Sequence, residues 1–241
     1  MTRVRMEKIR RTLLSILFPE RCACCGRVIP PFAGCCSACL ESLPVIEPPL
    51  CSFCGAGAEY CTCGRHHRHF DRIAAPFYYE DPARRGMLLF KEHGSAEAAS
   101  FFAERMAEVF RREWGSPYLD GIVPVPMRPE EIRVRGHNQS LLLARALSPL
   151  LDAPVREILV KIIPTRPQKE LTALERGGNV LGAFDVPPET ALTGELAGAR
   201  ILLVDDVVTT GSTLDECAKI LKIVGAAEVF ALTATRSRLS K

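Results

Sequence analysis

A chain of 241 residues, 47% hydrophobic and 24% charged, has room for one ordinary domain plus a small module and enough apolar content to bury a core. Its formal charge of +3 is too small to argue by itself for a nucleic-acid partner, although local arginine patches remain available. No apolar run is long enough to span a membrane, and the basic start Arg3 to Arg11 runs through only six residues, Leu13 to Phe18, before Pro19, which is no secretion signal. A cytoplasmic location is therefore expected.

Residues 4 to 18 place Val4, Ile9, Leu13, Leu14 and Leu17 partly on one side of a short basic helix. The apolar face is small, so packing on the next module or on a partner is favoured over binding to anionic lipid. Ten of the eleven cysteines then fall between Cys22 and Cys63. Crowding of this kind means disulfides in a secreted chain, but knuckle spacing ahead of an α/β pattern points to metal. Cys22/Cys25 and Cys36/Cys39 form two C-x-x-C knuckles ten residues apart, the spacing of a zinc ribbon. Cys51/Cys54 and Cys61/Cys63 repeat the pattern with a tighter second pair and suggest a second four-cysteine site. Cys24 and Cys35 leave the first ligand choice open, a histidine among His66, His67 and His69 could replace a thiol, and a crossed pairing of the two halves is a further arrangement.

A stretch so short has too little core to fold unaided, so zinc would supply the fold. Two such sites, each carrying about −2, would offset the excess of nine Lys/Arg over five Asp/Glu in residues 1 to 69. A structural role is the plain expectation. Four thiolates close the coordination sphere and leave no catalytic position, while docking of nucleic acid or protein through the ribbon is the sharper reading.

From Asp71 the composition changes, and a second domain over 70–241 follows the zinc module of 1–69. Ile73 to Tyr79 reads as a strand, Pro82 to Lys91 as helical, and Phe101, Phe102, Met106, Val109 and Phe110 mark an amphipathic helix ending near Gly115. A short strand at Asp120 to Pro126 leads into a loop carrying Arg128, Arg133 and Arg135, and then into a helix from Ser140 to Leu150. Val155 to Ile163 is another strand candidate, the Pro-broken segment from Pro164 suits a lid, and Glu228 to Thr233 is the expected last strand before a basic tail.

The most informative stretch is Ile201 to Leu214. An apolar strand, Ile201 to Val204, ends in Asp205 and Asp206, then in Thr209, Thr210, Gly211, Ser212 and Thr213, and then in a helix carrying Leu214, Ala218 and Leu221. Ser212 or Thr213 is the expected N-cap and Gly225 the stop. Free backbone N–H groups, the helix dipole and several hydroxyls at such a turn favour a phosphate. Two carboxylates would repel that phosphate unless they face another part of the ligand, such as sugar hydroxyls or magnesium. Phosphoribosyl diphosphate (PRPP) combines a phosphate, a ribose diol and a metal-bound diphosphate. No Gly-x-x-x-x-Gly-Lys and no Gly-x-Gly-x-x-Gly accompanies the stretch, so a nucleoside triphosphate is not the first candidate.

These residues resemble the PRPP-binding motif of type I phosphoribosyltransferases, with a mostly parallel α/β sheet flanked by helices. The whole chain resembles the ComF/GntX family, in which such a domain follows a double zinc ribbon. The resemblance rests on Phe18-Pro19-x-x-Cys22, Lys91-x-x-Gly94, Val123 to Pro126, Arg135-Gly-x-Asn-Gln139, Gln168, Arg176-x-x-Asn179 through Phe184, and the Asp205 stretch. His137 stands where the family usually has Phe, and Lys161 where Arg is common. In the enzymatic reading, Asp205 and Asp206 are the catalytic pair that holds the ribose hydroxyls with magnesium. Thr209 to Thr213 would take the 5′ phosphate, and Arg133 or Arg135 the diphosphate. The resemblance also implies a part in natural transformation, with single-stranded DNA and a helicase as partners and attachment at the inner membrane as an alternative location. There the PRPP site would be a sensor or a relic.

Overall fold

The structure is a computed structural model that describes residues 19–64, 67–162, 182–188 and 194–238. The segment 4–18, His66, the lid candidate with Gln168, and Arg176 to Asn179 lie outside the described residues.

The central sheet is built from β1 (Arg72–Ala74), β2 (Phe77–Tyr78), β3 (Gly121–Pro124), β6 (Arg200–Val208) and β7 (Glu228–Arg236). Their order is β1-β7-β6-β3, with β2 continuing beside β7 beyond β1, and every pair is parallel. The single strand expected over 73–79 is therefore two, broken at Ala75 and Pro76, where proline removes a ladder donor. β6 is longer than the apolar run and carries both aspartates inside it; β7 likewise runs on to Arg236. Among the described residues, the candidate at 155–163 contributes a bridge from Val155 to Ile122 and a two-residue β4 (Val160–Lys161). β4 pairs antiparallel with β5 (Phe184–Asp185), away from the central sheet.

Alternation along the strands sends side chains to two cores. Ile122, Leu202, Val204, Phe230 and Leu232 face one side, where α2 (Ala83–His93), α3 (Ala96–Trp114) and α5 (Gln139–Leu151) bury Met87, Phe90, Phe102, Met106, Phe110 and Leu143. Ile201, Leu203, Val229 and Ala231 face the other, against Leu214, Cys217, Ala218 and Leu221 of α6 (Ser212–Ile223). α3 starts at Ser95, whose hydroxyl accepts from Ala98 N, and ends at Gly115 in the left-handed region. The arginine segment after β3 is itself a helix, α4 (Pro129–Arg135), rather than a loop. Proline at its first position, Glu130 and Glu131 in its first turn, and the Glu131 carboxylate accepting from Arg128 N at 2.8 Å account for that.

Taking each four-cysteine half of the ribbon as one knuckle, the first, with α1 (Ser37–Glu41), buries Cys22, Cys24, Ile29, Cys35 and Cys39 in the same apolar cluster as α2 and α3. Gly86 on α2 makes this approach feasible, since a Cβ there would lie 2.7 Å from Ala23 O. The core thus runs across the change in composition near residue 69. The second knuckle leans on the sheet edge, where Ile73 N donates to Ser52 O at 3.1 Å and Gly57 N to the Tyr78 hydroxyl at 3.1 Å. Among the described residues no helix is long and apolar enough to cross a membrane.

Candidate PRPP site and zinc centres

Asp205 and Asp206 occupy the carboxyl-terminal part of β6, and Thr209 to Gly211 form the turn that delivers the chain to α6. Ligands of open α/β sheets bind at this end of the strands. Gly211, with φ of 83°, is the N-cap, and Ser212 and Thr213 already belong to the helix. The expected hydroxyl cap is replaced by a left-handed residue that L side chains rarely adopt. The Thr210 and Ser212 hydroxyls lie 2.9 Å apart beside this turn.

Two groups that the sequence reading did not assign to the site meet the aspartates. Lys91 Nζ on α2 lies 2.8 Å from Asp206 Oδ2, and the Ser140 hydroxyl on α5 donates to Asp205 Oδ1 at 2.8 Å. Asp206 N also donates to Asp205 Oδ1 at 2.9 Å. Lys91-x-x-Gly94 and Arg135-Gly-x-Asn-Gln139 prove to be one packed unit. His137 Nε2–H donates to Phe90 O at 3.2 Å, and a Cβ on Gly94 (φ 59°) would lie 2.7 Å from the His137 ring. Asn138 caps α5 through Ser140 N and ties it to Val125 O. The sequence contained both motifs; it did not show that their contact delivers Lys91 and Ser140 to the aspartates.

Protein atoms crowd the Asp205 carboxyl although the residue keeps some exposure, and this desolvation, followed by the Asp206 charge, pushes its pKa up to about 7. Burial works against the Lys91 charge most strongly, yet Asp206 and then Asp205 hold its pKa above the usual lysine value. The pair therefore presents much less negative charge than two free carboxylates, which lessens its repulsion of a phosphate. A raised carboxyl pKa stabilises the fold fully below the unfolded value near 4, and the contribution is lost as pH rises through about 7. Replacing Asp205 by Asn, which can still accept from Ser140, is expected to raise the melting temperature at pH 8 by about 2–4 °C, corresponding to about 1 kcal/mol. Below about pH 4 the difference should vanish; an equal shift at pH 8 and below pH 4 would remove the buried charge as its cause.

The segment after the second knuckle supports the turn. Arg68 Nη2 donates to Thr210 O at 2.8 Å, His69 N donates to Asp215 Oδ1 at 2.6 Å, and the Phe70 ring lies 3.9 Å from a Cβ placed on Gly211. His69 thus serves Asp215, and neither described histidine of the run joins a sulfur group. Among the described residues no hydrogen bond or ion pair joins the arginines proposed for diphosphate to the aspartates. Arg133 and Arg135 are exposed on α4, and Arg135 Nη1 donates to Gln139 Oε1 at 2.9 Å. Lys161 Nζ pairs with Glu131 at 3.0 Å.

Cys22, Cys25, Cys36 and Cys39 bring their sulfurs within 4.8 Å of one another, as do Cys51, Cys54, Cys61 and Cys63. Thiolates about 2.3 Å from a tetrahedral metal would be separated by about 3.8 Å. The sulfurs lie 3.8 Å apart for Cys25–Cys36, 3.7 Å for both Cys51–Cys63 and Cys54–Cys61, and 3.5 Å for Cys61–Cys63. Both groups therefore fit structural zinc. Cys24 and Cys35 stand outside the first group as buried core thiols, and burial pushes Cys24 up to about 12. Burial likewise pushes Cys54 up to about 12, while the charge of Arg236 acts in the opposite sense.

Comparison with known proteins follows the same division. The phosphoribosyl transferase domain family matches residues 138–238, and the double zinc ribbon domain family matches residues 13–68. "DNA utilization protein YhgH" of Salmonella typhi is 32% identical over 205 residues, covering 81% of this chain and 87% of its own. "Competence protein F" of Haemophilus influenzae is 29% identical over 222 residues, covering 88% of this chain and 95% of its own. The chain belongs to the ComF family. Its ComF-family fold is a type I phosphoribosyltransferase-like parallel sheet preceded by a double zinc ribbon with structural zinc. Among solved structures, a purine phosphoribosyltransferase from Pyrococcus horikoshii aligns with a TM-score of 0.34 and 23% identity, over 55% of this chain and 69% of the other.

Proposed function

We propose that this ComF-family chain binds PRPP with magnesium and acts in the uptake or use of DNA, the theme named in its relatives. The observation that carries the ligand reading is the continuity of Asp205 and Asp206 with the Thr209–Thr213 turn, with Lys91 and Ser140 converging on the same carboxylates. The turn and the first N–H groups of α6 take the 5′ phosphate, and the aspartates accept the ribose hydroxyls. Lys91 lowers the net charge that the ligand meets. Hard carboxylate oxygens fit magnesium, which when bound would stabilise a departing diphosphate. Arg133 or Arg135 helps to bind that diphosphate. The eight grouped cysteines hold structural zinc, and the chain divides at 69/70 into ribbon and phosphoribosyltransferase-like parts. No acceptor base is specified by these residues, so PRPP binding is proposed without a committed transfer reaction.

Calorimetric titration of the zinc-loaded protein with PRPP and magnesium tests this reading. Micromolar binding is expected, weakened at least ~100-fold in the D205N/D206N double variant, since both acceptors of the ribose diol lose their charge. Absence of binding by the unaltered protein rejects the reading.

The exposure of Arg133 and Arg135 on one short helix favours a second reading, in which the chain is a non-catalytic accessory that binds single-stranded DNA and a helicase. Its affinity for single-stranded DNA should then fall with salt, and lose slope when both arginines are removed.

A further inference from the structure

One arginine of the phosphoribosyltransferase-like part reaches the first sulfur group, and another lies buried beside the second ribbon half. On the second, Arg236 of β7 is only 3% exposed, and its Nε has no hydrogen-bond partner among the described residues. No carboxylate pairs with it there either. Arginine stays protonated in proteins, and a buried, unpaired charge is costly. Arg236 stands in register with Tyr78, whose hydroxyl accepts from Gly57 N between Cys54 and Cys61. On the first group, Arg85 of α2 donates from Nε to Cys24 O at 3.1 Å and points Nη2 at Cys39 Sγ, 3.8 Å away.

We propose that Arg236 is the buried counter-charge of the second zinc–thiolate centre, with Arg85 in the corresponding but exposed place at the first. Four thiolates around one zinc carry about −2, which is the anionic partner that Arg236 lacks among the described residues. Zinc loading of the second sulfur group is thereby coupled to the packing of β2 and β7 beside it. The ribbon is held to the sheet by charge as well as by packing.

The test uses the full chain with both zinc equivalents, measured by atomic emission and by competition with a chromophoric chelator. Arg236→Met should weaken one of the two zinc equivalents about 10- to 100-fold, the range seen for groups just outside the ligand sphere. Arg236→Lys, which keeps the charge, should stay within about threefold of the unaltered protein. Arg85→Met lies at the surface and should weaken the other equivalent by less, with the difference disappearing in high salt. Unchanged affinity for both zinc ions in folded Arg236→Met overturns the proposal. So does an equal loss in Arg236→Lys, which would assign the effect to shape instead of charge. Should Arg236→Met not fold, the lysine variant decides, since a tenfold loss there is already incompatible with a charge role.

Discussion

Stripping zinc with a strong chelator is expected to abolish the cooperative thermal transition of the whole chain, or to lower it by more than about 15 °C, and not merely to loosen a peripheral ribbon. Structural zinc contributes about 10–16 kcal/mol of apparent binding free energy in small zinc modules, comparable to or larger than the stability of an ordinary domain. Here the consequence cannot stay local. Cys22 and Cys39 of the first knuckle are buried in the cluster that also contains Met87, Phe90, Phe101 and Phe102. Gly86 brings α2 against the knuckle backbone, so loss of the knuckle exposes the outer face of α2 and α3. Circular dichroism melts with and without chelator, followed by zinc add-back, measure this. A helical transition that survives chelation within a few degrees would show the phosphoribosyltransferase-like part to be independent of metal.

Replacing Lys91 by Met is expected to destabilise the protein by about 2–3 kcal/mol at pH 8, because breaking a largely buried pair leaves its partner uncompensated. Lys91 is paired to Asp206 at 2.8 Å, with side-chain exposures of 29% and 13%. Asp206 would then face Asp205 with no cation between them. The effect should shrink toward pH 5. Lys91 helps hold the Asp205 pKa down, so its removal pushes that pKa further up, and protonation at low pH relieves the repulsion. Urea unfolding at the two pH values checks this, with Lys91→Arg as the charge-retaining control. A loss below about 0.5 kcal/mol at pH 8 would mean that the ion pair is not a stabilising element.

The zinc spacing and the Asp205 stretch were legible from residue order alone because each is a local device. Knuckle ligands lie within a few residues of one another, and strand, turn and helix N-terminus follow in one unbroken run. Helix α3 was legible for the same reason, since periodic apolar residues end at Gly115. α4 carries the proline and the two glutamates that start a helix, but its seven residues bury no side chain and so show no apolar period. The short fate of residues 155–163 was not legible. An apolar run shows that a segment seeks burial, but not that its partner is β5, off the central sheet.

Tertiary structure decided what long-range contact alone can supply. Lys91 and Ser140 stand 115 and 65 positions from their aspartate partners in sequence, and the packing of His137 on Gly94 brings one of them in. It also selected Cys25 over Cys24 and Cys36 over Cys35 as members of the first sulfur group, because adjacent cysteines point in different directions and only one of each pair leaves the core. The sequence by itself determined the family, the chemistry of the donors and the order of the elements. Folding determined which charges meet, since electrostatic partnership depends on distance in space and burial, neither of which a linear spacing contains.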